Sequence, residues 1–214
     1  MSRLRFTITM SLDGFVAGPD QSVENPLGIG GERLHEWVVP LAVWREPHGL
    51  PGGEVNESTR VVDEVLANIG ATVMGRNMFG GHPGPWKSTK PWNGWWGKNP
   101  PFHHPVFVLT HHARDPLVLE GGTTFTFVTN GVEAALEQAR QAAGGKDVAL
   151  AGGAKAAQQY FKAGLVDQMD LNVAPVLLGS GERLFDGVGD DLRGLKLVRT
   201  IAAPAVTHLR FTRG

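Results

Sequence analysis

The 214-residue chain contains no cysteine. That excludes a disulfide framework, a thiolate nucleophile and a cysteine-ligated metal, and nothing in the sequence calls for an oxidising compartment. No stretch approaches the roughly 18 apolar residues of a spanning helix. The first ten residues, MSRLRFTITM, alternate polar and apolar positions where a secretory leader would run continuously apolar. A cytoplasmic location is therefore expected. An excess of one charge is also missing: 20 basic residues face 21 acidic ones. No global field recruits nucleic acid or an anionic membrane, and the substrate is expected to be small.

What the chain has in excess is glycine, 29 residues where average usage of ~7% predicts about half that. These glycines stand at the ends of periodic segments, where they supply turns, helix stops and close backbone approach. The length suits one domain spanning 1–214, and neither a repeat nor a linker is visible.

Residues 4–10 read as a first strand, with Leu4, Phe6, Ile8 and Met10 on one face and the turn signal Asp13-Gly14 behind it. Leu34, Trp37, Val38 and Leu41 fall at helical spacing, which predicts a helix over 32–44 ended by Pro47 and Gly49. A second helix is expected from a Ser58 cap through Ile69, with Gly70 as its stop. Strands follow at 71–74, 106–109 and 124–128, then a helix capped by Asn130 and stopped by Gly144-Gly145. Asp147 to Ala151 is again a strand, Gly152-Gly153 turns into a helix through Phe161, and a strand at 168–176 precedes a closing antiparallel pair, 193–201 and 205–212. Strands alternating with helices predict an α/β fold: a mostly parallel central sheet, helices on both faces and an antiparallel C-terminal strand pair. Ligands of such sheets bind at the carboxyl ends of strands, here Asp13, Gly75, Thr110, Asn130 and Gly152.

Three of those strand ends favour anions. In VALAGGAKAAQQYF, residues 148–161, two glycines allow close approach of a diphosphate to a new helix start, and Lys155 adds charge. Gly75-Arg76-Asn77 follows a strand directly, and its arginine can fork onto phosphate oxygens. Thr110-His111-His112-Ala113-Arg114 offers a hydroxyl, imidazoles and a guanidinium. Each also has a bland reading as an ordinary turn. Asp13 is open in the same way: it can orient a substrate or relay a proton, or cap its own turn. Glu32, His35 and Glu36 are either pocket groups or a solvated helix face. The segment from Gly80 to Pro105, with Trp86, Trp92, Trp95 and Trp96, reads as a lid, as packing or as a subunit interface. The pairs His103-His104 and His111-His112 invite zinc, but adjacent imidazoles point apart on an extended chain. No metal is expected.

Taken in order, SLDGFVAGPD (11–20), VMGRNMFG (73–80), VFVLTHHAR (106–114) and LAGGAKAAQQYFKAGLVDQMDLNVAPVLLGSGERLF (150–185) resemble the reductase domain of riboflavin biosynthesis, within the dihydrofolate-reductase-like superfamily. The resemblance touches most of the chain, and GLVD with PVLLGSGERLF is its most specific part. It implies NADPH lying across the strand ends. Val16 and Ala17 would border the nicotinamide, and Gly75, Arg76 and Asn77 the adenine-side phosphates. Thr110 and His111 would meet the adenosine ribose phosphate, and Gly152, Gly153, Ala154 and Lys155 would cradle the diphosphate. The implied reaction is reduction of 5-amino-6-(5-phosphoribosylamino)uracil by a homodimer. The deaminase domain often fused to that reductase has no counterpart in these residues. A W-x-x-P-x-D substrate helix is not legible either, which argues against dihydrofolate. Reduction of another pterin-like or xenobiotic compound, or NADPH binding without turnover, are the alternatives.

Overall fold

The computed structural model describes residues 2–87, 91–192 and 194–214. Eleven strands occur among them: β1 (Leu4–Ser11), β2 (Phe15–Ala17), β3 (Ile69–Gly75), β4 (Pro105–Leu109), β5 (Leu117–Val118), β6 (Thr124–Val128), β7 (Asp147–Leu150), β8 (Gln168–Ala174), β9 (Glu182–Arg183), β10 (Leu195–Ala203) and β11 (Val206–Arg213). The helices are α1 (Ala42–Arg45), α2 (Glu57–Leu66), α3 (Arg76–Phe79), α4 (Val132–Ala142) and α5 (Ala154–Lys162). None is long and apolar enough to cross a membrane.

Nine strands form one sheet in the order β10-β11-β8-β1-β7-β3-β4-β6-β5. From β8 to β6 all neighbours are parallel, while β10, β11 and β5 add antiparallel edges. The period-2 alternation sends Leu4 and Phe6 of β1, Ala71 and Val73 of β3, and Phe107 of β4 to one face. There they pack with Val132, Leu136 and Ala139 of α4 and with Ala157, Tyr160 and Phe161 of α5. The opposite face is divided. Over β3, β4 and β6 it is aromatic, with Met74, Phe79, Phe125 and Phe127 under Trp86, Trp92 and Trp96. Over β1, β8 and β11 it is a buried polar layer of Arg5, Thr9, Gln168, Asp170, Asn172 and His208.

Much of that polar layer is satisfied internally, as burial favours, although Arg210 Nη2 has no partner among the described residues. Arg5 donates to the carbonyls of Glu64 and Ala67 at the end of α2. Arg210 bridges Asp170 and Glu64, and Arg199 forks onto Glu64.

Several expected boundaries are corrected. The helix over 32–44 is instead a 3-10 turn, Gly31–His35, followed by the four-residue α1. Pro40 lies between them and interrupts the ladder, although Leu34, Trp37 and Leu41 are buried as their spacing suggested. α2 is capped by Asn56, not Ser58: Asn56 Oδ1 accepts from Ser58 N at 2.9 Å, and Thr59 Oγ1 accepts from Asn56 N at 3.1 Å. Gly70 is no helix stop but part of β3, where a Cβ would stand 2.5 Å from the Ala143 carbonyl oxygen. α4 is preceded by Gly131 at φ 93°, and no Asn130 side chain caps it. The closing strand pair forms as expected; Arg193, at its expected start, and residues 88–90 of the Trp-rich segment lie outside the described residues.

Candidate active site

The sheet opens on one side of β1. β1 and β7 pair only over Leu4–Phe6 and Val148–Leu150, whereas β1 and β8 stay paired to Ser11 and Ala174. Beyond Leu150 the chain leaves the sheet through Gly152-Gly153 into α5, so β1 runs on with one neighbour missing. The gap is a cavity of about 820 Å³. This is where an open α/β sheet binds ligands, at the carboxyl ends of strands that diverge.

Every residue assigned from the sequence to the cofactor lines this cavity: Val16, Ala17, Gly75, Arg76, Asn77, Thr110, His111, Gly152, Gly153, Ala154 and Lys155. They arrive from four separate strand ends, which only the fold brings together. The Gly152-Gly153 peptide is cis, with Gly152 at φ 107°. A Cβ on Gly153 would meet no protein atom within 4 Å, so the space beside it is open to a ligand. No side chain among the described residues caps the first turn of α5, whose residues Ala154 to Ala156 line the same space. They supply the positive end of a helix dipole there.

At the far end Arg76 is held by its own loop. Its Nη2 donates to the His82 carbonyl at 2.8 Å and its Nε to the Gly80 carbonyl at 3.3 Å, while Nη1 is buried with no partner among the described residues. Burial, and then the charge of nearby Arg114, pull its pKa down to about 10, so it stays charged at neutral pH. Arg114 donates to the Trp92 carbonyl and to Asn93 Oδ1. Thr110 Oγ1 accepts from His112 N at 3.2 Å, which tightens the turn after β4. His103 and His104 point apart, to the Gly121 carbonyl and to Thr72 Oγ1. Among the described residues no three histidine, aspartate or glutamate side chains could hold a metal.

Asp13 is placed differently from the others. It does not line the cavity; its carboxylate accepts from Ser11 Oγ at 2.6 Å, Leu178 N at 3.2 Å and Gly179 N at 2.7 Å. The Ser11 hydroxyl and those two backbone donors hold its pKa down to about 2. Those contacts fasten the end of β1 onto residues 178–179.

The opposite end of the cavity was largely missed by sequence reasoning. Thr7 and Thr9 of β1 and Asn172 of β8 line it unforeseen, together with His35 at the end of the 3-10 turn, one of the possible pocket groups of the sequence. Burial lowers the pKa of His35, partly offset by the Gly31 backbone, and its Nδ1 has no partner. The threonines occupy the polar phase of β1, which alone reads as a solvent face. The available signal was that 168–172 carries Gln168, Asp170 and Asn172 in a matching polar phase.

The Trp-rich segment packs inward. Trp86, Trp92 and Trp95 donate their indole N–H to the carbonyls of His112, Phe79 and Met78, at 2.8, 2.8 and 3.0 Å. Gly80 is required where Trp95 crosses it, since a Cβ there would lie 2.4 Å from the indole and φ is 85°.

A mostly parallel sheet split beside its first strand, with a glycine turn leading into a helix across the split, defines a protein of the dihydrofolate-reductase-like class. Residues 3–209 match the model of the RibD C-terminal domain, and the chain belongs to that family. Among solved structures, a protein of Shewanella sp. PV-4 named for riboflavin biosynthesis is similar at 21% identity and TM-score 0.61, covering 100% of this chain and 99% of that one. The diaminohydroxyphosphoribosylaminopyrimidine deaminase/5-amino-6-(5-phosphoribosylamino)uracil reductase of Thermotoga maritima aligns at 12% identity and TM-score 0.57, over 100% of this chain and 57% of its own. The dihydrofolate reductase of Enterococcus faecalis, complexed with NADP(H), aligns at 13% and 0.51 over 99% and 96%. No curated protein matches the chain.

Proposed function

We infer that this chain is an NADPH-dependent reductase of a small nitrogen heterocycle, of the kind named for its Thermotoga maritima neighbour. The observation that carries the reading is the continuity of one cavity from the uncapped start of α5 to the polar end at β1 and β8. The residues fit the cofactor. Gly153 leaves ligand-sized space beside a helix start, and Arg76 Nη1 is a buried cation nitrogen waiting for an acceptor.

In this reading Gly152 to Lys155 hold the diphosphate, Arg76 with Thr110 and His111 the adenosine ribose phosphate, and Val16 with Ala17 one edge of the nicotinamide. When bound, the reduced nicotinamide supplies hydride chemistry. The chain's own contribution is position and exclusion of water: Trp95, Trp96 and Leu27 wall the cavity, and β1 presents hydroxyls to the substrate. The implied substrate is 5-amino-6-(5-phosphoribosylamino)uracil, and the working unit one reductase domain in a homodimer.

The test is a titration with NADPH by fluorescence, followed by loss of reduced-nicotinamide absorbance with phosphoribosylaminopyrimidine, pterin and unrelated imine or carbonyl acceptors. Absence of NADPH binding overturns the reading. Binding without oxidation of NADPH by any acceptor would instead mark a nucleotide-binding protein.

A further inference from the structure

The buried polar layer does not end within the core. Thr9 and Asn172 are register partners of β1 and β8, side by side on the polar face, and both reach the cavity. Behind Asn172 stand two more buried side chains. His208 Nδ1 lies 2.7 Å from Asn172 Oδ1, and His208 Nε2 lies 2.9 Å from Ser58 Oγ. Trp37 packs edge-on against the imidazole, its centroid 5.2 Å away, and donates to Thr9 Oγ1 at 3.1 Å.

The direction of this chain follows from donor accounting. Ser58 Oγ has no other hydrogen-bond partner among the described residues, so its buried proton goes to His208 Nε2. Burial also lowers the pKa of His208, and a neutral imidazole that accepts at Nε2 must donate at Nδ1. Asn172 therefore presents Oδ1 to His208 and keeps both N–H donors of Nδ2, which no described group takes. The acids of the same layer are already engaged, Asp170 by Arg210 and Glu64 by Arg199 and Arg210. One carboxylate outside the layer does line the cavity, Glu182 on β9, paired with Ala17 of β2.

We propose that Asn172 determines substrate specificity: its N–H donors, oriented from behind by His208 and Ser58, read a carbonyl oxygen on the edge of a planar heterocycle and select pyrimidinones over diamino, protonatable rings. This rests on the reductase reading for the identity of the cavity. The physical reason is asymmetric rejection. A ring that brings a second donor to this spot leaves opposed N–H groups unpaired, and a cationic ring finds no free carboxylate in the layer.

Uracil and 2,4-diaminopyrimidine, measured by ligand-detected NMR on the full chain, test it, with NADPH titrated on the same preparations. The wild type should prefer uracil. Asn172→Asp keeps an oxygen for His208 and replaces the donors by a charge, so it should shift the ratio toward the diamino ring by about 10- to 100-fold with NADPH affinity unchanged. Asn172→Ala should lose uracil without gaining the other probe, and it decides the matter if the aspartate variant melts early. An unchanged ratio in Asn172→Asp, or a wild type preferring the diamino ring, overturns the proposal, as does a ratio that moves only in Glu182→Gln. Selective uracil binding without NADPH binding would sink the cofactor reading and leave this one standing. NADPH binding with neither probe bound would do the reverse.

Discussion

Arg76 stands over Trp86, its guanidinium carbon 3.1 Å from the ring centre. Arg114 stands 5.0 Å from the same ring centre, and among the described residues neither arginine meets a carboxylate. Two cations share one aromatic ring, with stacking in place of a counter-ion, and in the proposed reading Arg76 meets the ribose phosphate. A charge-assisted hydrogen bond contributes about 1.5–3 kcal/mol, so Arg76→Ala should reduce the preference for NADPH over NADH by about 10- to 100-fold. Loosening of the loop at Gly80 and His82 would affect both cofactors alike, and the ratio isolates the charge. Parallel titrations with the two cofactors check this; an unchanged ratio would move the ribose phosphate elsewhere.

The two glycines of the turn should behave oppositely. Gly153 has φ −72° and open space around its Cβ position, so Gly153→Val should fold normally and lose NADPH. Gly152 has φ 107°, a region that L residues rarely adopt, and Gly152→Ala should cost about 1–3 kcal/mol of stability. Thermal melts paired with cofactor titrations separate the effects. Tight NADPH binding by a folded Gly153→Val protein would remove the diphosphate from this turn.

Trp92 packs against the aromatic cluster and donates to the Phe79 carbonyl. Trp92→Ala should destabilise the chain by up to about 3–5 kcal/mol and leave its sedimentation coefficient unchanged. A variant that kept its stability but changed its assembly would mean that this indole faces a partner subunit.

Acid should destabilise the protein in two stages. Burial is the main force lowering the pKa values of His35, His104 and His208 below their ordinary 6.5. The unfolded chain then binds more protons below that value, and stability present above it is lost as pH falls toward the folded values. Asp13 and Glu64 are also depressed, by the Ser11 hydroxyl and by Arg199 respectively, so their contribution, full above the ordinary carboxylate range, is lost as pH falls below it. Denaturant midpoints across pH check the order. His104→Gln, which can keep a bond to Thr72, should flatten the first stage; an unaltered slope would mean that His104 is not among its causes.

Much of the frame was legible because it rests on local patterns. Alternation in 4–10, 71–74 and 106–109 marks strands whatever lies beside them, and Gly152-Gly153 before an alanine-rich helix marks a backbone approach site. Where the reading erred, a short-range rule met a longer-range one: Pro40 cut a run of helical spacing, and Gly70 answered to Ala143 on the next element instead of ending its own helix.

The sequence alone determined which strand ends carry groups able to meet an anion, since that depends on residue type just after a periodic run. Only the tertiary structure decided that those ends meet in one crevice, because the early parting of β1 from β7 is a matter of strand order. It also decided that the polar phase of β1 lies buried beneath α2 and Trp37, and that Asn172 is turned by His208 and Ser58. Those contacts join residues up to 150 positions apart, where hydrogen-bond satisfaction across the folded layer, and no local periodicity, sets the orientation.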